Sequence, residues 1–600
     1  MRSSKTRSRA PRKRVQSIRA KEPRPVAAAP IHLISSALTL LAFACLFLTL
    51  QVYTARAQSA TWDEPGHITA GYAILTSGDY RLDIEHPPLL RMWMALPLMF
   101  MEGIRPDLPA IDPARPETVA FTGPFEAGHT FLYEHNDADA ILFRARLMVM
   151  MLGLLLGLLV YWWVAEAQGQ NAATAALALL LFEPNLAAHA GLATTDFGVT
   201  TFAFGAVFFL WRACRNWTRS NLIAAIAFFV LAIFTKFSAL ILGPIFLALV
   251  LIARPSGQSS KLRQVATLTG ALVVAGWCVA WLFYGLRYDP SRVPGSPIAL
   301  DAVPAVARAV PAWTAVVSTI DRLHLLPNAL SQGFLHAQSL AVSRPAFLAG
   351  DFSTQGWWYY FPAAIALKTP ILILVLFVIG TFGAVQRRSS PFGSFLLVPI
   401  AMFLAVAMTS HLNIGLRHVL PIYPFIVVLA ALGLETVVSS LKRHDVWRVT
   451  LVTVAALEFA VVYPHTLAYF NLLAGGPSNG FRYLADSNVD WGQDLKRLKS
   501  WMNGRNIDHI NLAYFGVAEP AYYGINRTDL WGTTIPGVAR SAMGPPKLPG
   551  YVAVSVTLLD GVPFGERERE FYAPLRGREP AVKIGGSIRV YWVEEPWWRR

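Results

Sequence analysis

Charge is what this 600-residue sequence lacks: 15% of its residues are Asp, Glu, Lys or Arg, against 54% hydrophobic. Globular chains average about a quarter charged. The deficit is concentrated in the stretches 31–55, 147–165, 264–286 and 389–416, which contain none of the four. Since about 20 apolar residues cross a bilayer as a helix, these runs exclude a cytosolic enzyme, a secreted disulfide scaffold and a disordered chain. Cysteine is also scarce. Cys45, Cys214 and Cys278 all sit in apolar runs without CxxC spacing, which leaves no disulfide framework and no zinc site. Nucleotide and protease signatures are missing too: no GxGxxG beside a strand, no GxxxxGK[ST], no HExxH and no usable GxSxG. Their absence argues against nucleotide-driven chemistry and metalloproteolysis. It leaves room for a divalent cation held by Asp63 or Asp196 with water.

The formal charge of +15 is unevenly spread: residues 1–30 hold ten Lys/Arg and one acid, a net +9, leaving +6 for the rest. A basic arm ahead of the first apolar run is a cytoplasmic topology signal, so the charge is not read as a nucleic-acid tail. Ala55-Arg56-Ala57 resembles a signal-peptidase site. The apolar stretch before it is longer than a usual signal core, so the expectation is an uncleaved anchor.

From a cytoplasmic residue 1, spans are expected near 31–54, 143–165, 172–192, 197–212, 220–235, 237–253, 265–286, 361–385, 392–411, 418–438 and 449–470. The basic clusters Arg212/Arg215/Arg219, Arg254/Lys261/Arg263, Arg387/Arg388 and Lys442/Arg443/Arg448 then all fall on the cytoplasmic side. The fold class is thus a polytopic α-helical membrane protein of about eleven spans, in a cell membrane, with its C-terminus exoplasmic. Its transmembrane domain would run over 31–470. Outer loops fall at 55–142 and 287–360, and the tail 471–600 forms a small exoplasmic α/β domain. Within the first loop, His86–Met101 reads as a helix along the membrane surface. In the tail, Asp490–Met502 reads as an amphipathic helix, with β-rich segments at His509–Phe515, Tyr551–Leu559 and Ser587–Val593.

The densest polar constellation is the first outer loop: Trp62-Asp63-Glu64-Pro65-Gly66-His67, then Arg81 in Gly78–Asp83, then Glu85-His86-Pro87-Pro88-Leu89. A carboxylate beside an acceptor hydroxyl can act as general base, and an adjacent one can tune or orient it. The plain alternative is a solvated loop whose Asp-Glu-Pro begins a helix. At membrane depth, where polar groups are costly, Glu183, His189 and Asp196 close the third span and open the fourth. Helix capping alone could account for Asp196. Arg81, His86, Lys236, Lys368, Arg417 and His418 make up a set of cations at one membrane face, as an anionic lipid phosphate would require, although snorkelling explains each singly. His67, Glu85, His189 and Asp196 add further polar candidates for ligand contacts at the same face. Glu458, inside the eleventh span, has no evident partner.

Taken together, these motifs resemble the lipid-carrier-dependent glycosyltransferases of the GT-C fold, which include protein O-mannosyltransferases and lipid A aminoarabinose transferases. The resemblance rests on Trp62–Pro65 and Glu85–Leu89. It extends through Ala188-His189 with Thr194–Asp196, Thr235–Ser238, Gly356–Pro362, Arg417–Pro421 and Asp490–Leu495, about residues 31–560. It implies inverting transfer of a sugar from a polyprenyl phosphate to a hydroxyl of a protein, lipid or glycan, with Asp63 as catalytic base and Glu64 as its partner. No cofactor is required, and a divalent cation is optional because the leaving group needs only fixed cations. The chain departs from the aminoarabinose transferases in having His86 where Lys precedes Pro-Pro. It also lacks the repeated outer modules of eukaryotic protein O-mannosyltransferases. Both departures bear on sugar and acceptor rather than on reaction type. A competing reading is a transporter or flippase whose ion path uses Glu183, Lys368 and Glu458. No inverted repeat of broken spans supports it.

Overall fold

A computed structural model describes residues 30–106, 123–253, 260–293, 297–386, 391–535 and 544–597. Most of the basic arm, as well as Arg254, Arg387 and Arg388, lies outside them. Five helical segments are long and apolar enough to cross a bilayer: Ser35–Ala57, Ala138–Gln168, Thr195–Arg215, Lys261–Phe283 and Leu416–Ser439. Counting two bent pairs as single spans raises the number to seven.

Proline explains both bends. Gln170–Leu181 and Pro184–Ala190 meet at 67°. There Pro184 removes a backbone donor, and Glu183 caps the second helix by accepting from Leu186 N at 2.6 Å. Tyr360–Lys368 and Ile371–Gln386 meet at 117° across Thr369-Pro370. The continuous spans expected at 172–192 and 361–385 are therefore broken, and their breaks bring polar residues to one end of the bundle. Arg219–Ile233, Phe237–Ile252 and Phe392–Met408 are apolar but short.

The bundle packs by close backbone approach, as membrane helices do where small residues meet. Helices Ile371–Gln386 and Tyr423–Ser439 touch through Gly380 and Gly433. A Cβ on Gly380 would lie 1.8 Å from the Leu429 carbonyl oxygen, and one on Gly433 2.0 Å from that of Leu376.

The segment read as a surface helix is shorter than expected, a helix Pro88–Ala95 continued as a 3₁₀ turn Leu96–Phe100. Arg91 in it is buried and donates to the carbonyls of Leu82, Asp83 and His86. That cation locks the loop between the first and second candidate spans.

Residues 346–353 form an antiparallel hairpin, β1 Ala346–Leu348 with β2 Asp351–Ser353. The C-terminal segment builds a mixed five-stranded sheet in the order β4-β3-β5-β7-β6. Its strands are β3 Ile510–Ala513, β4 Arg527–Asp529, β5 Gly550–Ser555, β6 Val582–Ile584 and β7 Ile588–Val593. β3 runs parallel to β4 and β5, whereas β5–β7 and β6–β7 are antiparallel. The helix expected from 490 begins later, at Leu495, and buries Leu495, Leu498 and Met502 at helical spacing.

Candidate active site

Two stretches distant in sequence are stitched together at the mouth of the bundle. Ser59 N donates to the Gln493 carbonyl at 3.1 Å and Trp62 N to that of Trp491 at 3.0 Å. The Ser59 hydroxyl donates to the Gly492 carbonyl at 2.8 Å. The tail segment 486–495 thereby lines the first outer loop and forms part of the site.

Asp63 precedes the helix Glu64–Ser77 but makes no side-chain cap bond to it. Its carboxylate instead accepts from Arg417 Nη1 at 2.6 Å and keeps 19% side-chain exposure. The plain capping explanation thus fails for Asp63. Arg417 lies in the 3₁₀ turn Leu416–Ile422. Its Nη1 also reaches Asp196 at 3.5 Å, and Nε donates to the Ser487 hydroxyl at 3.2 Å. The guanidinium sits 4.2 Å from the centroid of the Trp491 ring, a cation–π contact. Close approach permits this: a Cβ on Gly415 would lie 2.1 Å from the Ser487 hydroxyl. Asp196, beyond a capping role, accepts from Lys236 Nζ at 2.6 Å. A continuous row of alternating charge results: Asp63, Arg417, Asp196, Lys236.

Histidines surround this row. His67 Nδ1 pairs with Asp83 at 2.7 Å, and the His67 and His86 rings meet edge to face at 5.1 Å. Burial opposes a charged His67, but the Asp83 carboxylate outweighs it and raises the pKa. Burial opposes ionisation of Asp83 too, yet His67 and Arg91 bring it down to about 2. His86 goes the other way: burial first, then the positive Lys236 and His67, hold its pKa well below the usual value. These surroundings disfavour the charged ring that was expected to bind phosphate. Glu85 is half-buried, and burial with the neighbouring Asp63 and Asp83 charges raises its pKa. His189 sits edge-on to Trp491 at 6.0 Å. His189 Nδ1, His67 Nε2 and His418 Nε2 are buried without a hydrogen-bond partner in the structure, so three ring nitrogens near the row retain unused hydrogen-bonding capacity.

Three expected site residues are committed elsewhere. Glu64 is fully buried and accepts five hydrogen bonds: Arg146 Nε at 2.8 Å, Arg146 Nη2 at 2.6 Å, Thr61 N at 2.8 Å, Thr61 Oγ1 at 3.0 Å and Ala193 N at 2.7 Å. Burial opposes its ionisation, Arg146 more than compensates, and the pKa falls. With donors on both oxygens, Glu64 ties the loop to Arg146 and Ala193. Lys368, 2% exposed, gives its ammonium to the carbonyls of Leu467, Tyr469 and Asn488. It fastens the tail to the bundle and offers no charge to a phosphate. Arg81 is paired in a fork with Asp79, Nε to Oδ1 at 3.0 Å and Nη2 to Oδ2 at 2.6 Å. The ion path considered for a transporter loses members in the same way, because Glu458 accepts from the Tyr469 hydroxyl at 2.5 Å. Among the described residues, no group of three or more His, Cys, Asp or Glu is arranged to hold a metal. Both carboxylates considered for a cation face Arg417.

Sequence reasoning overlooked Arg146, Ser487 and the role of Trp491. Trp491 stood in a quoted motif. Arg146, the last cation before a long apolar run, was the remaining signal of a buried ion pair.

Comparison with known proteins agrees with the resemblance read from the motifs. Residues 139–284 match the family described as dolichyl-phosphate-mannose-protein mannosyltransferase. No curated protein matches the chain. Among solved structures, similarity is found to ArnT from Cupriavidus metallidurans in the apo state, at 14% identity and TM-score 0.45, covering 93% of this chain and 98% of that one. The same enzyme bound to undecaprenyl phosphate is matched at 14% identity and TM-score 0.41, over 92% and 97%. The Archaeoglobus fulgidus oligosaccharyltransferase in its apo form is matched at 13% identity and TM-score 0.43, over 71% of this chain. The chain spans 55% of that oligosaccharyltransferase's length.

Proposed function

We propose that this membrane protein, whose segment 139–284 matches a mannosyltransferase family, transfers a sugar from a polyprenyl-phosphate donor to an acceptor hydroxyl, with inversion, at the exoplasmic face. The observation that carries this reading is Arg417, which joins Asp63 of the outer loop to Asp196 of a membrane helix, with Lys236 next in the row. Two carboxylates and two cations thus alternate in one row, and in this reading the row faces the lipid headgroup.

The chemistry follows from charge. A sugar on a polyprenyl phosphate is a phosphodiester with one negative charge, and departure of the phosphate leaves a monoester approaching two. Arg417 and Lys236 therefore bind the transition state more tightly than the ground state, which is the condition for acceleration. One such preorganised donor is worth about 3 kcal/mol in known oxyanion sites. The acceptor oxygen forms its bond to C1 as the C1–O bond to phosphate breaks, and the acceptor proton passes to Asp63. A single displacement inverts the anomeric centre without a covalent enzyme intermediate. His86 and His189, with His67 and Glu85, are assigned to hydroxyls of sugar or acceptor, and His418 supports the phosphate. Glu64 and Lys368 are assigned to positioning. With the N-terminus cytoplasmic, the site and tail are exoplasmic, away from nucleotide sugars.

The test is incubation of purified protein with a panel of polyprenyl-phosphate sugars, followed by mass analysis of released carrier and acceptors. Asp63→Asn should keep its fold while turnover falls about 10²–10⁴-fold, the usual contribution of a general base. Near-normal turnover in that variant would remove Asp63 from the role.

A further inference from the structure

A second cationic centre lies apart from the charge row, at the other end of the helix Glu64–Ser77. That helix ends on Gly78 in the left-handed conformation, φ +65°. Two guanidiniums converge there. A Cβ on Gly78 would lie 3.1 Å from Arg287 Nη2 and 3.2 Å from Arg292 Nε. Arg287 Nη2 donates to the Gly78 carbonyl at 2.7 Å, which accounts for part of one arginine through the negative end of the helix. The Arg287 guanidinium also lies 5.9 Å from the centroid of the Tyr80 ring, a weak contact that supplies no counter-charge. Arg287 Nη1 is buried with no hydrogen-bond partner. Among the described residues, neither arginine forms an ion pair, and Asp79 beside them is already held by Arg81. Two like charges at one point, one partly desolvated and neither ion-paired among the described residues, repel each other, and an anion bridging them would relieve that repulsion.

The surroundings indicate which anion. Arg287 follows the apolar helix Lys261–Phe283 by four residues, and the apolar window of that helix is only 11% buried in the protein. Leu282, Leu286 and Val293 flank the arginines with their side chains 64%, 69% and 60% exposed. A guanidinium pair bordered by outward-facing aliphatic groups at a span's end matches an amphiphile: phosphate against the arginines, acyl chains along the helix. Arginine suits this because its fork pairs with phosphate oxygens two at a time. We propose that Arg287 and Arg292 bind the phosphate of an anionic phospholipid in the leaflet at this end of the helix, an annular lipid site independent of the transfer reaction.

The experiment uses the full chain in vesicles of mixed phosphatidylcholine and phosphatidylglycerol. The protein is then extracted, and the lipid each chain retains is counted by native mass analysis. Phosphatidylglycerol should be enriched over phosphatidylcholine. Arg287→Gln/Arg292→Gln should reduce that enrichment by at least about tenfold, the equivalent of one charge-assisted hydrogen bond. Arg287→Lys/Arg292→Lys should retain part of it. Lys261→Gln/Arg263→Gln, at the opposite end of the same helix, should leave it unchanged. Should the double glutamine variant not fold, Arg292→Gln alone carries the test, since Arg292 is exposed. Equal enrichment in the glutamine variant, or equal loss in the Lys261/Arg263 control, overturns the proposal. Binding of inorganic phosphate with no preference between the two lipids overturns the lipid assignment.

Discussion

Replacing Glu64 separates its structural role from a catalytic one. Each of its oxygens receives at least two donors: Arg146 Nε and Ala193 N on Oε1, and Arg146 Nη2, Thr61 N and Thr61 Oγ1 on Oε2. In Glu64→Gln the amide must place its NH₂ toward one of these sets. Whichever way it turns, donors then face donors, and Arg146, 1% exposed, loses its counter-charge. Removing one partner of a buried ion pair typically costs about 3–5 kcal/mol. The expected result is a markedly lower unfolding transition in detergent, with turnover per folded molecule within a few-fold of the parent. Glu64→Leu/Arg146→Met removes both charges together and should recover most of the lost stability, since apolar replacement of a buried pair is often neutral. Thermal unfolding followed by intrinsic tryptophan fluorescence, alongside carrier-release assays normalised to folded protein, measures both quantities. A Glu64→Gln protein as stable as the parent but inactive would refute this reasoning and return Glu64 to the chemistry.

Lys368→Met should leave three buried carbonyls without their shared donor, at about 1–3 kcal/mol for each group left unpaired. Limited proteolysis is expected to show the tail 471–600 cleaved faster than in the parent, and an unchanged cleavage rate would contradict the fastening role. The His67–Asp83 pair has a pH signature at both ends. Because the His67 pKa is raised in the fold, its contribution is complete below about pH 6.5 and is lost as pH rises through the folded value. Asp83 is depressed to about 2, so its share is present above its ordinary pKa near 4 and fades as pH falls toward 2. Asp83→Asn should therefore lose less stability at alkaline pH than at pH 6, as read from unfolding midpoints across a pH series.

Much of the architecture was legible because bilayer insertion depends on local composition. Long apolar runs without charge favour helices in lipid, and five of the structure's helical segments are long and apolar enough to cross a bilayer. The β segments at 510–513, 550–555 and 588–593 were readable for a similar reason: short apolar runs bounded by turns. Pro184 and Pro370 were visible in the sequence, but continuous spans were expected across both, because whether a proline breaks a helix and how far it kinks depend on what packs there.

The sequence by itself determined which residues were candidates for the site: the acidic pair Asp63-Glu64, Arg417, Lys236, and the polar residues from Glu183 to Asp196. Tertiary structure decided what each charge does. Asp63 and Glu64 are adjacent in sequence, yet one turns outward to Arg417 and the other inward to Arg146. Likewise Lys236 meets a carboxylate in the charge row, whereas Lys368 is enclosed by carbonyls. An ionisable group's role depends on the partners within about 4 Å of its charge, and those partners come from segments up to 354 residues apart, a distance that no local pattern encodes.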